Sequence, residues 1–329
     1  MSESSGSVGG AGVGRAGAGR PAQKVSLITT VKDSAEHVEE FLASVRVQTR
    51  PPDEVVVVDG GSTDGTRELL QRANDIVLIE EPGANISRGR NIAIAAATHD
   101  VLVVSDADCV LEPGWLEHLV GAIQAGADVA MGAYRPITES FFQECMASLN
   151  LPDPADVDPD TFMPSARSVA YTRAAIEGAG GYPEWLDIGE DMLVDHQWRE
   201  MELDMRYVPD AVAHWRLRRG LPATWRQYFR YARGDAIAGM YPERHALRYV
   251  VYAGALVALA SRRRWVIVLA ALAGAAYVAR PIARATSRFT DSKDRAAAAA
   301  AVPALMAFID AAKMAGYLAG LVAKRRRDR

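Results

Sequence analysis

An α/β fold on a mostly parallel, Rossmann-like sheet, followed by apolar C-terminal helices, is what this 329-residue sequence predicts. Short β-branched runs alternate with stretches of helical periodicity, as in successive βαβ units. The strands read as continuous apolar runs such as Val55-Val56-Val57-Val58, as in a sheet covered on both faces. Charge also divides the chain. Residues 1–239 carry a net −15, whereas residues 240–329 hold 16 Lys and Arg against five Asp and Glu, or +11. An acidic body with a basic, apolar tail excludes a nucleic-acid binder and suits a membrane-attached enzyme.

In chain order, Val25–Val31 is the first strand. Val38, Phe41, Leu42 and Val45 then follow the i, i+3, i+4, i+7 spacing of a helix with one buried face. Pro51-Pro52 breaks the chain before the strand at Val55–Val58. Gly60-Gly61-Ser62-Thr63-Asp64-Gly65 makes a turn into a helix bearing Leu69 and Leu70. Ile76–Ile79 and Val101–Val104 are further strands, with a helix between them that Ser87 could cap and that runs to Ala97. Right-handed crossovers make such strands parallel. Ligands then bind beyond their carboxyl ends, at Thr29–Lys32, Asp59–Asp64 and Ser105–Cys109.

Three parts are expected. Residues 1–22, mostly Gly, Ser and Ala, read as a disordered arm without the apolar core of a secretion signal. Residues 23–239 form the catalytic domain, and 240–329 a membrane-associated helical region. In that region Leu247–Ala260 and Trp265–Ala279 are apolar runs separated by Arg262-Arg263-Arg264, and Ala296–Ala323 is a third. The first two fall short of the ~20 residues that cross a bilayer comfortably, so a buried or interfacial hairpin competes with true spans. Cys109 and Cys145 are the only cysteines, which excludes a disulfide framework and a zinc cluster and fits a reducing compartment.

The chemistry concentrates at Val104-Ser105-Asp106-Ala107-Asp108. Two carboxylates directly after a buried strand are hard oxygen ligands suited to Mn²⁺ or Mg²⁺, with positions left for phosphate oxygens. A solvated turn whose Asp caps the next helix is the plain alternative.

Val25–Val31, Val55–Asp59 with Gly61-Ser62-Thr63-Asp64, Ser87-Arg88-Gly89-Arg90-Asn91 and Ser105-Asp106-Ala107-Asp108 resemble the successive motifs of the family 2 glycosyltransferases. The resemblance continues through Gly181-Tyr182, Gly189-Glu190-Asp191, Tyr207–Val212 and His214, covering about residues 24–233. It implies the GT-A fold and sugar transfer from a nucleotide-diphosphate donor. A glycan or lipid-linked acceptor at the cytoplasmic face of the cell membrane would receive the sugar. Thr29, Thr30, Val31, Asp59, Arg90, Ser105, Asp106 and Ala107 would contact the donor nucleotide. Asp106 and Asp108 would hold the metal, and His214 is a further candidate that could equally make a structural hydrogen bond. Asp59 occupies the first of two acidic base-contacting positions, but Gly60 stands at the second, so a UDP-sugar is favoured and guanosine stays open. Asp191 would be the general base of an inverting enzyme, with Glu190 helping to hold the acceptor.

Other features are ambiguous. Trp185 could stack on a sugar or sit in the core. Arg88 and Arg90 read as a surface pair, one of them near the nucleotide. Arg216, Arg218, Arg219, Arg226, Arg230 and Arg233 interleave with aromatic residues as on an interfacial helix, some of them available to a lipid-linked phosphate. A retaining transferase or a catalytically silent sugar-binding subunit are the competing functions. A nucleotidyltransferase would want a Gly-rich loop where Thr29-Thr30-Val31-Lys32 stands.

Overall fold

The computed structural model describes residues 23–150 and 157–327. The expected arm, residues 1–22, lies outside the described residues. The elements run β1 (Val25–Val31), α1 (Val38–Arg46), β2 (Glu54–Asp59), α2 (Thr66–Gln71), β3 (Val77–Glu80), α3 (Ile86–Ala96), β4 (Val101–Val104), β5 (Cys109–Leu111), α4 (Trp115–Gln124), β6 (Val129–Ile137) and α5 (Phe141–Asn150). Then follow β7 (Val169–Thr172), α6 (Arg173–Gly178), α7 (Glu190–Glu200), β8 (Met205–Arg216), α8 (Leu221–Ala238), α9 (Pro242–Ala260), α10 (Arg264–Ser287) and α11 (Ser292–Arg327).

The strands form one sheet in the order β3-β2-β1-β4-β7-β6-β8-β5. The first four are parallel, as expected of a Rossmann-like half. The other half is mixed: β7 runs antiparallel to β4 and β6, β8 pairs parallel with β6, and β5 antiparallel with β8. The sequence reading had no strand for β6 or β7. Gly132 and the bulge beside it explain the weak signal of β6, since Ser168 and the Ala211 carbonyl approach where a side chain would stand, and β7 is only four residues long.

Strand alternation builds two cores. Val25, Leu27, Val55, Val57, Val101 and Val103 face α1, α4 and α5, whereas Ile28, Val56, Val58, Leu102 and Val104 face α3, α6 and α7. Each such buried side chain contributes roughly 1.5–3 kcal/mol. A one-residue slip would exchange the two sets, so packing fixes the register. α3 starts at Ile86, and its cap is Asn85, whose side chain accepts from the Arg88 N–H; Ser87 is instead buried inside the first turn.

The C-terminal helices differ among themselves. α9 and α10 present Leu247, Val250, Leu256, Trp265, Leu269 and Leu272 outward, each more than half exposed. α10 and α11 are each long and apolar enough to cross a membrane. α10 outruns its apolar run because Arg280 to Ser287 continue the helix around Pro281. α11, however, lies along α8 and buries Val302, Leu305, Ile309 and Ala312 in the first core. The crossing is close because Gly316 and Gly320 carry no Cβ; one added at Gly316 would stand 2.1 Å from the Phe229 carbonyl oxygen. Gly316→Ala should therefore force the helices apart, costing about 1–3 kcal/mol and lowering Tm. An unchanged thermal unfolding curve would mean that α11 does not pack on α8 in this way.

Candidate active site

A cleft of 1490 Å³ opens beyond the carboxyl ends of β1, β2 and β4. Thr30, Val31, Asp106, Ala107 and Asp108 line its sheet side, and Glu190 and Asp191 line it from the start of α7. Arg226 and Arg230 of α8, Arg244 and Arg248 of α9 and Lys313 of α11 line it as well.

The Ser87-Arg88-Gly89-Arg90-Asn91 motif is the hinge of this arrangement. Ser87 Oγ donates to the Leu186 carbonyl at 3.0 Å, and Asn91 binds both the carbonyl and the N–H of Tyr182 at 2.8 Å. These bonds tie the segment before α7 to α3. Gly89 lets α3 approach β1, since a Cβ there would meet Thr30 Cγ2 at 2.8 Å. Arg88 points outward to Glu81 at 2.7 Å. Arg90 turns inward and is only 2 % exposed, which corrects the expectation of a surface pair. Its Nη1 donates to Glu190 Oε1 at 2.5 Å and its Nη2 to Asp106 Oδ1 at 2.9 Å, while the guanidinium lies over the Tyr182 ring. One buried cation thus joins the sheet-end carboxylate to the start of α7.

Arg167, which the sequence reading missed, lies on the other side of Asp106. Its Nε is 3.8 Å from Asp106 Oδ2, and its guanidinium is stacked 4.1 Å above the Trp215 ring. It sits in a loop before β7, and its neighbours carry no motif. Asp108 is pushed above the usual carboxylate range, first by burial and then by the Asp106 charge, with Arg167 and Arg218 opposing. Two carboxylates that repel each other at the cleft wall are a donor set suited to a hard divalent cation. Among the described residues there is no third His, Cys, Asp or Glu grouped with them. Mg²⁺ and Mn²⁺ accept one or two carboxylates completed by water and phosphate oxygens, so the pair fits.

Four expected contact residues fall outside the cleft lining. Thr29 is buried and donates its hydroxyl to the Ser105 carbonyl at 2.7 Å. Ser105 Oγ donates to the Arg167 carbonyl at 2.9 Å. Asp59 accepts from the Ser62 N–H at 3.0 Å and the Ser62 hydroxyl at 2.6 Å, holding the turn after β2. These three shape the wall from behind. His214 on β8 is 3.0 Å from Glu112 Oε1 and is not grouped with Asp106 and Asp108, so its hydrogen bond is the structural one.

Glu190 and Asp191 form the first turn of α7, after Gly189 at φ +82°. The helix dipole favours acids there. Asp191 Oδ1 accepts the Met192 N–H at 2.9 Å. Glu190 is pushed up to about 7 by burial and by the Asp191 charge, with Arg90 pulling the other way. Trp185 is half-exposed under the Arg327 guanidinium, outside the core. Arg216, Arg218 and Arg219 all line the cleft, and Arg216 and Arg219 are tied to Glu40, Glu36 and Glu139, which clamps the end of β8 to the start of α1.

The family model "Glycosyl transferase family 2" matches residues 26–165. Residues 26–165 carry a family 2 glycosyltransferase domain. Glycosyltransferase AglE of Haloferax volcanii is 34% identical over 116 residues, 33% of this chain and 38% of that protein. Succinoglycan biosynthesis protein ExoA of Rhizobium meliloti is 28% identical over 236 residues, 62% of this chain and 66% of that one. The chain therefore spans less than two thirds of either relative. Mannosyltransferase PcManGT from Pyrobaculum calidifontis, solved with GDP-Man and Mn²⁺, superposes with a TM-score of 0.53 at 23% identity, covering 94% of this chain and 88% of that one. The glycosyltransferase domain thus has the GT-A fold.

The raised Glu190 carboxyl links stability to pH. A carboxyl whose folded value lies near 7 instead of 4.5 stabilises the fold fully below pH 4.5 and loses that contribution as pH rises through 7. The scale is about 3 kcal/mol. The wild type should lose more unfolding free energy than Glu190→Gln between pH 5 and pH 8, measured by denaturant titration. Parallel profiles would place the ionisation elsewhere.

Proposed function

We propose that the protein is a metal-dependent, inverting glycosyltransferase that moves a sugar from a nucleoside-diphosphate donor to a glycan or lipid-linked acceptor at the membrane. The observation that supports this most is the cleft itself, where Asp106, Asp108 and Asp191 face one space and Arg90 connects the two ends.

Transfer breaks the bond between the anomeric carbon and the donor diphosphate and forms one to an acceptor hydroxyl. Asp106 and Asp108 would hold Mn²⁺ or Mg²⁺, which when bound offsets the charge developing on the departing nucleoside diphosphate. Thr30, Val31 and Ala107 line the wall against which the nucleotide would lie. Arg218, which also lines the cleft, would face the diphosphate. Asp191 would accept the hydroxyl proton as the oxygen attacks from the face opposite the leaving group. Glu190, held by Arg90, would fix the first turn of α7 that carries Asp191 and help to hold the acceptor. A UDP-sugar remains the favoured donor, with a GDP-sugar the alternative that the PcManGT complex keeps in play.

Membrane attachment is supported by the exposed apolar faces of α9 and α10 beside the +11 tail. We place it on the cytoplasmic leaflet, with residues 23–239 as the transferase domain and 240–329 as the helical region. The similarity to ExoA supports a role in envelope polysaccharide synthesis.

Asp191→Asn keeps the shape and removes the base, so kcat should fall ~10²–10⁴-fold while nucleotide binding persists. Asp108→Asn should abolish transfer and Mn²⁺-dependent nucleotide binding together. Normal turnover in Asp191→Asn, with retained configuration in the product, would replace the inverting mechanism by a retaining one. Full activity of the wild type in EDTA would remove the metal.

A further inference from the structure

Besides Asp106 and Asp108, the cleft is lined by cations from three helices. Arg226 and Arg230 stand one turn apart on α8, Arg244 and Arg248 lie on the first turns of α9, and Lys313 projects from α11. Two acids nearby are already committed: Asp235 to His245 at 2.9 Å, and Asp310 to Arg248 at 2.9 Å and to the Tyr252 hydroxyl at 3.1 Å. Among the described residues Arg226 and Arg230 have no hydrogen-bond or carboxylate partner. Arg244 lies over the Tyr241 ring at 4.6 Å and Lys313 over the Tyr228 ring at 5.0 Å, and the charge of Lys313, which burial disfavours, is supported by Asp310 and Asp235. Elsewhere on the surface Arg46, Arg67, Arg88, Arg206 and Arg288 are each paired to a carboxylate. A concave wall of five cations, of which Arg226, Arg230 and Arg244 have no carboxylate partner among the described residues, is poised for an anion.

A second, independent feature says what is attached to that anion. α9 carries Arg244 and Arg248 on the cleft, and from Leu247 onward it shows solvent an apolar face: Leu247 is 62 % exposed, Val250 67 % and Val251 55 %. α10 continues that face with Trp265, Val268, Leu269 and Leu272. A ligand with its charged group against the cation wall would reach this apolar surface within a few ångströms of helix, at ~1.5 Å per residue. The chemistry is that of an amphiphile with an anionic head.

We infer that the α8–α9–α11 wall is an acceptor subsite for the phosphate or diphosphate of a lipid carrier, with Arg226, Arg230, Arg244 and Lys313 holding the anion. The inference rests on the transferase reading, and it narrows the acceptor to a phosphate-linked lipid. The carrier's apolar chain would run along α9 and α10. The glycan it bears would extend back to Asp191.

Direct binding tests this with the full-length protein in detergent, in EDTA so that no cation bridges a diphosphate to Asp106 and Asp108. Farnesyl diphosphate, farnesol and inorganic diphosphate are the probes. Farnesyl diphosphate should bind at least tenfold more tightly than either of the others. Arg230→Gln/Lys313→Gln should weaken it about tenfold or more, as should the exposed single variant Arg226→Gln to a lesser degree. Binding of UDP or GDP with Mn²⁺ should stay within twofold, which shows that the variants are folded. Equal binding of farnesyl diphosphate by wild type and variants overturns the subsite. Inorganic diphosphate binding as tightly as farnesyl diphosphate overturns its assignment to a lipid carrier, and so does farnesol doing so. A wild type that binds farnesyl diphosphate as expected but no nucleotide with Mn²⁺ would sink the transferase reading and leave the lipid-phosphate site standing.

Discussion

Everything in the cleft depends on one buried cation. Arg90 has almost no contact with solvent and touches the carboxylates of Asp106 and Glu190, which lie 84 residues apart in the chain. Stripping an arginine of water is tolerable only because two acids and the Tyr182 ring receive it. The pairing has consequences in both directions. Asp106 is aimed at the cleft wall by a partner that cannot move, and α7 must begin where Glu190 reaches Arg90. Asp191, the next residue, is therefore delivered to the opposite side of the same cleft. Burial still dominates at Glu190, whose carboxyl rises to about 7 despite the arginine.

The scaffold holds this pair by close backbone approaches more than by bulk. Gly89 brings α3 against β1, Gly234 brings α8 against the Ile188 carbonyl, and Gly316 and Gly320 bring α11 against α8. The last two make the C-terminal region more than an anchor. α11 shares its apolar residues with the core under α4 and α5, while α9 and α10 turn theirs outward. A sequence of similar apolarity thus serves two purposes, and helix-to-helix fit decides which.

Much of this was readable in the residues. The parallel half of the sheet follows from runs such as Val55–Val58, the carboxylate pair from its place after β4, and the start of α7 from Glu190-Asp191. What was not readable depends on distant contacts. Arg90 looked like a surface arginine because nothing local reveals that Glu190 meets it. Thr29, Asp59 and Ser105 carry side chains suited to a nucleotide, yet each is spent on a neighbouring backbone or hydroxyl group. His214 stands at a plausible motif position but is turned to Glu112. Arg167 and Lys313 escaped notice because a loop and a long helix bring them in from segments without periodic or motif signal. The strand β6 was missed where a glycine and a bulge erase the alternation, and β7 because four residues are too short to show a period.

The central claim is that Arg90 sustains both ends of the cleft as one buried ion network, and chemical denaturation of two variants tests it most directly. Arg90→Met alone leaves Glu190 and Asp106 without their cation and should cost about 3–5 kcal/mol of unfolding free energy. Adding Glu190→Leu removes a buried carboxyl left without its partner and should restore more than half of that loss, although Asp106 remains uncompensated. If Arg90→Met is within 1 kcal/mol of wild type, or if the double variant is no more stable than the single one, Arg90 is not the link between the two ends.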